Sequence, residues 1–264
     1  MPERSTMIAA LRHLIASLAT AAALATPAHA DGLPDEPIAR FEAPVCPGVI
    51  GLERGNAEAV VARIRDNIRR LGVEEADAET CEPNLILSVL PDGRDYLSRL
   101  RAERGYLFET MDQPQVAALT QRPGPARTWM AVQRRTRDGI RVGEPRNHVD
   151  IPQATMWSAH SLIYVPTRRD IASAMVLIDR DAAAGLSVAQ IADYATLHGM
   201  ADYLPPARAD VATLQRLFAG EGEAPAALTD YDLAFLDRVY SSLPNIAGEQ
   251  RLSGLPGMAG PDER

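Results

Sequence analysis

Apolar residues recur at helical spacing through residues 57–72 (AEAVVARIRDNIRRLG), where Val60, Val61, Ile64, Ile68 and Leu71 share one face. The pattern predicts an amphipathic helix with Asn56 as its cap and Gly72 as its stop. Arg63, Arg65, Arg69 and Arg70 lie largely off that face, a charge run that suits a solvated surface and the helix C-terminus. Upstream, 39–52 (ARFEAPVCPGVIGL) reads as one or two short strands broken by Pro47-Gly48. Downstream, the unbroken apolar run 84–90 (NLILSVL) reads as a buried strand. Pro91-Asp92-Gly93 then turns the chain into a helix over 94–111, interrupted near Gly105. A short helix over 114–120 carries Pro114 in its first turn. Residues 128–135 (TWMAVQRR) alternate as a strand, and 137–143 (RDGIRVG) form a hairpin turn with its return. Two further strands are expected at 160–165 (HSLIYV) and 170–179 (DIASAMVLID), the second ending in the polar turn 179–185 (DRDAAAG).

Three helices are expected to close the chain. The first lies in 184–200 (AGLSVAQIADYATLHGM), where Ser187 and Gln190 form a capping box and Leu186 and Ile191 a hydrophobic staple. Val188, Ile191 and Ala195 face one way, toward a core. The second is 209–220 (ADVATLQRLFAG). The third is 230–242 (DYDLAFLDRVYSS), with Thr229 and Asp232 in the box positions, Leu228 and Leu233 as the staple, and Leu233, Leu236, Val239 and Tyr240 on one face. Strand, helix, strand, helix, several strands and then helices predict an α+β domain with a small mixed sheet and a C-terminal helical segment.

The first thirty residues change the compartment. Arg4 and Arg12 precede an Ala/Leu-rich stretch that ends in Ala28-His29-Ala30, the small-x-small pattern cut by signal peptidase between Ala30 and Asp31. Its clean apolar core, 14–25, is shorter than the roughly 20 residues that span a bilayer. The expected organisation is a signal peptide at 1–30, one α+β domain at 31–247 and a disordered Gly/Pro-rich tail at 248–264. The protein is thus expected to be exported, periplasmic or secreted, and not membrane-spanning once the signal is removed. In that compartment the two cysteines, Cys46 and Cys81, are expected to form a disulfide, and their spacing excludes a CxxC redox role.

Charge narrows the partners. The chain holds 27 basic and 35 acidic residues, a net charge of −8, with its basic residues scattered. That is no electrostatic footprint for nucleic acid. Every basic residue is Arg, which a GC-rich coding bias explains as well as any function does.

Candidate chemistry centres on the 184–200 helix, which has the outline of the one carrying HExxH in many metalloproteases. Zinc there needs two histidines at i and i+4 on one face and a Glu beside the first. With Gly199 as the glycine of HExxHxxG, the ligand positions hold Ala192 and Thr196, and Asp193 stands at the glutamate position. With His198 as the second histidine, Tyr194 and Ala195 stand where a ligand and a base belong. Ala offers no ligand atom and a Thr hydroxyl is a poor ligand beside imidazole, so neither register holds two good ligands. His148, His160 and His198 are an alternative zinc triad, set against scattered histidines, and through them zinc stays open although no cofactor is expected. Asp193 as a metal-free base competes with Asp193 as a solvent-facing or partly buried acid, with a nearby Arg as one hydrogen-bond partner. Asp179, Asp181 and Gly185 lack the ligand ladder of a calcium loop and read as a polar turn. Trp129, Trp157 and Tyr164 line either a groove or a core. There is no GxSxG, SxxK with partners, Walker loop or GxGxxG.

The apolar strand, polar turn, capped helix ending in Gly199 and closing LTDYDLAFLDRVY together resemble a group of exported bacterial proteins of unknown function with a zincin-like core, most clearly over 161–242. The resemblance implies that DIASAMVLID is a substrate-binding edge strand and 192–199 the site helix. With the metal ligands missing, it implies a pseudo-metalloprotease rather than an enzyme, binding a peptide or protein partner, for instance as a strand added beside the edge. A metal-dependent hydrolase with a non-standard site is the alternative, and a structural protein of the envelope a third.

Overall fold

Three strands run parallel, β1 (Pro47–Ile50), β2 (Leu85–Leu90) and β4 (Thr167–Asp179), and β3 (Ala126–Thr136) runs antiparallel beside β4. Their order across the sheet is β1-β2-β4-β3. The computed structural model describes residues 34–108, 111, 113–143, 165–220 and 224–259. The expected signal peptide, its cleavage point at Ala30 and Asp31, His148, His160, Trp157, Tyr164 and all of the 160–165 strand but Val165 lie outside those residues.

Seven α-helices occur among the described residues: α1 (Arg54–Arg70), α2 (Gly93–Glu103), α3 (Gln113–Gln121), α4 (Arg180–Ala183), α5 (Val188–Gly199), α6 (Asp230–Ser241) and α7 (Gly248–Leu252). Helices cover both faces of the sheet. Leu85, Leu87, Val89, Ala174, Val176 and Ile178 point to the larger core, with Ile64 and Ile68 of α1, Ile191 and Leu197 of α5, and Phe235 and Val239 of α6. The alternate residues Leu90, Met175 and Leu177 point to a smaller one, with Leu97 of α2, Val116 and Leu119 of α3, Phe108 and Trp129. A strand buried on both faces needs apolar residues at every position, which is why NLILSVL and DIASAMVLID carry unbroken apolar runs.

That burial corrects one expectation. The strand expected at the edge, DIASAMVLID, is interior. Its second half pairs with β2 from Ala174 to Asp179, and β3 flanks its whole length. Its first half is bordered by Arg40, whose carbonyl accepts the Ile171 N–H at 2.8 Å and whose own N–H donates to Arg169 O at 3.3 Å.

Other differences are local. Helix α1 starts at Arg54 rather than after Asn56, and Glu53 precedes it without a side-chain cap bond. Gly51 makes the turn out of β1 at φ 88°, where an added Cβ would lie 1.9 Å from Val89 O, so only glycine fits. Pro47 and Gly48 do not break a strand but begin β1, a position where a missing ladder donor is harmless. The polar turn after β4 winds into the single turn of α4 before Gly185 reverses it at φ 87°. The helix expected over 209–220 shrinks to a 3-10 turn, Leu214–Arg216. There Arg216 gathers the carbonyls of Ala207, Arg208, Ala209 and Val211, fixing the backbone in a loop.

The expected disordered tail is also overturned through Ala259. Residues 248–252 form α7, and Leu252, Leu255 and Ala259 are buried. The anchor is electrostatic as well as apolar. The buried Arg251 donates to Val239 O and Leu243 O, and Arg40 donates to Val239 O and Ser242 O. Two guanidiniums thereby satisfy carbonyls that the C-terminus of α6 leaves open, where the helix dipole favours positive charge. Burial, with the Arg40 charge beside it, pushes Arg251 down to about 10. Cys46 and Cys81 are joined, closing 35 residues between the head of β1 and the loop before β2. In the chain-entropy picture such a loop contributes about 4 kcal/mol.

Candidate functional site

Helix α5 begins as its sequence requires. Ser187 Oγ accepts the Gln190 N–H at 3.1 Å, and Gln190 Oε1 accepts the Ser187 N–H at 3.0 Å. The helix then runs into the interior, and residues 191–197 are all buried. Among the motif positions, Ala192, Asp193 and Thr196 each have no exposed surface. Gly199 answers to packing: a Cβ there would sit 2.3 Å from Leu85 Cδ1, so glycine lets the helix close onto β2.

Asp193 is the centre of the site. Arg63 of α1 grips it with both prongs, Nε to Oδ1 and Nη2 to Oδ2, each at 2.8 Å. Asn67 Nδ2, one helical turn on, reaches Oδ1 at 2.7 Å, and the Leu228 N–H reaches Oδ2 at 2.9 Å. The carboxylate therefore accepts four hydrogen bonds and joins α1, α5 and the segment leading into α6. Burial alone would raise its pKa, but the bonds from Arg63, Asn67 and the Leu228 amide outweigh burial and hold it below the usual carboxylate range. The same pairing raises Arg63. Thr196 completes the network: its Oγ1 accepts from Asn67 at 3.1 Å and donates to Ala192 O at 2.9 Å. In place of ligand, base and ligand, the motif positions hold a methyl group, a saturated carboxylate and a hydroxyl turned back on its own helix.

His198 faces an aromatic cluster instead. It stacks on Tyr194 with ring centroids 4.0 Å apart, and Phe218 meets Tyr194 edge-on at 5.0 Å. Its Nε2 is buried without a hydrogen-bond partner. Burial, then the Arg122 charge, pushes its pKa down to about 3, so the ring is neutral. Among the described residues no group of three or more His, Cys, Asp or Glu side chains is arranged to hold a metal. Asp179 and Asp181 do not form a loop of ligands either: Asp179 Oδ1 accepts the Gly93 N–H at 2.7 Å and lies 3.8 Å from the buried Arg127 Nη1. Trp129 stacks on Phe108 at 5.2 Å in the smaller core.

Two further polar centres lie in the fold. Asp232 accepts from Thr213 Oγ1 at 2.5 Å, from the Leu214 N–H at 3.0 Å and from the Thr229 N–H at 3.1 Å. Its capping-box position signalled half of this, and the reach to Thr213 had no local sign. The other centre gathers Arg135, Arg168 and Asp170 beside Arg40 and Glu42. Its signal was the pair of Arg-Arg steps at 134–135 and 168–169, which β3 and β4 set directly opposite one another.

Compared with family models, with curated proteins and with solved structures, the chain finds no match in any of the three.

Proposed function

We propose that the chain is an exported, non-catalytic domain of pseudo-metalloprotease type that binds a peptide or protein partner, with α5 serving as an internal strut. The observation that carries the non-catalytic part is Asp193. Its acceptor positions are taken by Arg63, Asn67 and the Leu228 amide, so no oxygen is left to activate water. Ala192 and Thr196 supply no ligand pair beside it, and His198 is turned into an aromatic cluster. Export is proposed from the leader pattern. The Cys46–Cys81 bond is compatible with it, and among the described residues no helix is long and apolar enough to cross a membrane.

The test pairs elemental mass spectrometry with proteolysis. Purified protein is expected to carry no stoichiometric zinc and to leave unfolded casein intact with or without EDTA. Stoichiometric zinc lost in His198→Ala, together with casein cleavage abolished by EDTA, would replace this reading with a metal-dependent hydrolase.

A further inference from the structure

We propose that Asp138 is a site of spontaneous modification, where the chain isomerises to isoaspartate through a succinimide closed on the Gly139 nitrogen. The inference does not rest on the binding reading above. An aspartate followed by glycine is the step most open to this reaction. Glycine puts no Cβ in the way of the attacking nitrogen and leaves the backbone free to turn. The glycine nitrogen attacks the aspartate Cγ, and the carboxyl OH leaves as water with the amide proton. Water then adds back at one of two carbonyls. At Cγ it restores aspartate. At the main-chain carbonyl it frees an α-carboxylate and leaves a chain that runs through Cβ and Cγ. The net step consumes no water, oxidant or cofactor.

The sequence holds three Asp-Gly steps, at 31–32, 92–93 and 138–139. The first lies outside the described residues, and the fold treats the other two differently. Asp92 is locked. It caps α2, its Oδ1 accepting the Asp95 N–H at 2.9 Å and its carbonyl the Tyr96 N–H at 3.1 Å. The Gly93 nitrogen, which would have to attack, is buried and donates to Asp179 Oδ1 at 2.7 Å. The Asp95 amide, helped by that of Arg94, also holds Asp92 below the ordinary carboxylate range. Little of it is then the uncharged acid from which water can leave.

Asp138 has none of these restraints. It is exposed in the turn between β3 and the hairpin return, and among the described residues no hydrogen bond or ion pair engages its carboxylate. Gly139 takes φ 86°, the left-handed form that glycine adopts without strain. Its N–H is held by one turn bond, to Thr136 O at 2.9 Å. That bond joins residues three apart at the surface, so it opens without disturbing either core, whereas freeing Gly93 unwinds the start of α2. The product adds a methylene to the backbone of the turn. It draws the Gly139 carbonyl from Arg135 Nη1, now 3.0 Å away, and the Ile140 N–H from Thr136 Oγ1, now 3.1 Å away.

The test compares the two steps within one molecule. Folded protein is aged for several weeks at neutral pH, beside a sample kept unfolded in urea. Because every basic residue is Arg, trypsin then releases 138–141 (DGIR) and, after reduction, 71–94. Chromatography against synthetic standards separates isoaspartate from aspartate in each peptide. In the folded protein isoaspartate is expected to accumulate at Asp138 at least about tenfold faster than at Asp92, a ratio set by what it takes to open each site. In urea the two rates are expected to converge. Asp138→Glu keeps the charge but would have to close a less favourable, larger ring, so that peptide should stay unmodified. Equal rates at the two steps in the folded protein would overturn the proposal. So would an absence of isoaspartate at Asp138 in the folded protein, which would show that the turn bond protects it. A ratio that persisted unchanged in urea would also overturn it, by assigning the difference to sequence rather than fold.

Discussion

Asp193 and Asp170 are both buried carboxylates beside arginines, yet their proton affinities move in opposite directions. Asp193 sits below the ordinary carboxylate range and Asp170 above it. The difference is not the number of nearby cations. Asp170 has Arg168 Nε at 3.0 Å and Arg135 Nε at 3.2 Å, whereas Asp193 has one arginine. What differs is direction. Of those contacts to Asp170, neither Nε is aligned to donate, Oδ1 accepts no hydrogen bond, and the one aligned bond comes from Arg168 Nη2 at 3.1 Å. Burial then dominates, and the Glu42 charge adds to it. Asp193 receives four aligned bonds, two of them a bidentate grip, and these overcome the same penalty. A charge taken from water is stabilised by donors aimed at it more than by cations near it.

The comparison breaks most visibly with Asp193→Asn. The amide keeps the shape but loses the charge and presents a donor to Arg63, Asn67 or the Leu228 N–H. We expect a loss of about 3–5 kcal/mol in urea unfolding at neutral pH. The pH dependence should be next in size and opposite in sign for the two residues. Asp193 has a lowered folded pKa, so its contribution is fully present above the unfolded value of about 3.9 and disappears as pH falls through the folded value. The gap between wild type and Asp193→Asn should therefore close on acidification. Asp170 has a raised folded pKa, so ionising it costs stability, and wild type should gain on Asp170→Asn as pH falls toward the unfolded value. Urea midpoints of the three proteins across the acid range check both slopes. Thr196→Val, which removes one of the two acceptors of Asn67 Nδ2, should cost about 1 kcal/mol. Smallest of all, Asp170→Asn at neutral pH should change stability by less than about 1 kcal/mol, because burial already disfavours the charge that the substitution removes.

What the sequence made legible was local. Both capping boxes are present at Ser187–Gln190 and Thr229–Asp232, since each is written within four residues. The cysteine pairing follows from there being only two in the chain. The buried strands show as apolar runs, but a run does not say which strand lies beside it; the edge position of DIASAMVLID comes from the resemblance alone, and β4 is interior. The charge run places Arg63 on a solvated face because its partner Asp193 is 130 residues away. The sequence suggested an arginine near Asp193 without a way to choose among 27. The 209–220 segment has helical apolar spacing, and it fails as a helix because Asp232 and Arg216 claim its polar groups from outside the spacing pattern.

The central claim is that Asp193 is held as a structural tie between α1 and α5. A double-mutant cycle with Arg63→Ala and Asp193→Ala, read by equilibrium urea unfolding at neutral pH, tests it directly. Arg63 is 37% exposed, so solvent screens part of the pair. A favourable coupling of about 2 kcal/mol is still expected, with Asp193→Ala the more damaging single change. A coupling under about 0.5 kcal/mol, with Asp193→Ala as stable as wild type, would contradict it and return that carboxylate to the list of groups kept for chemistry.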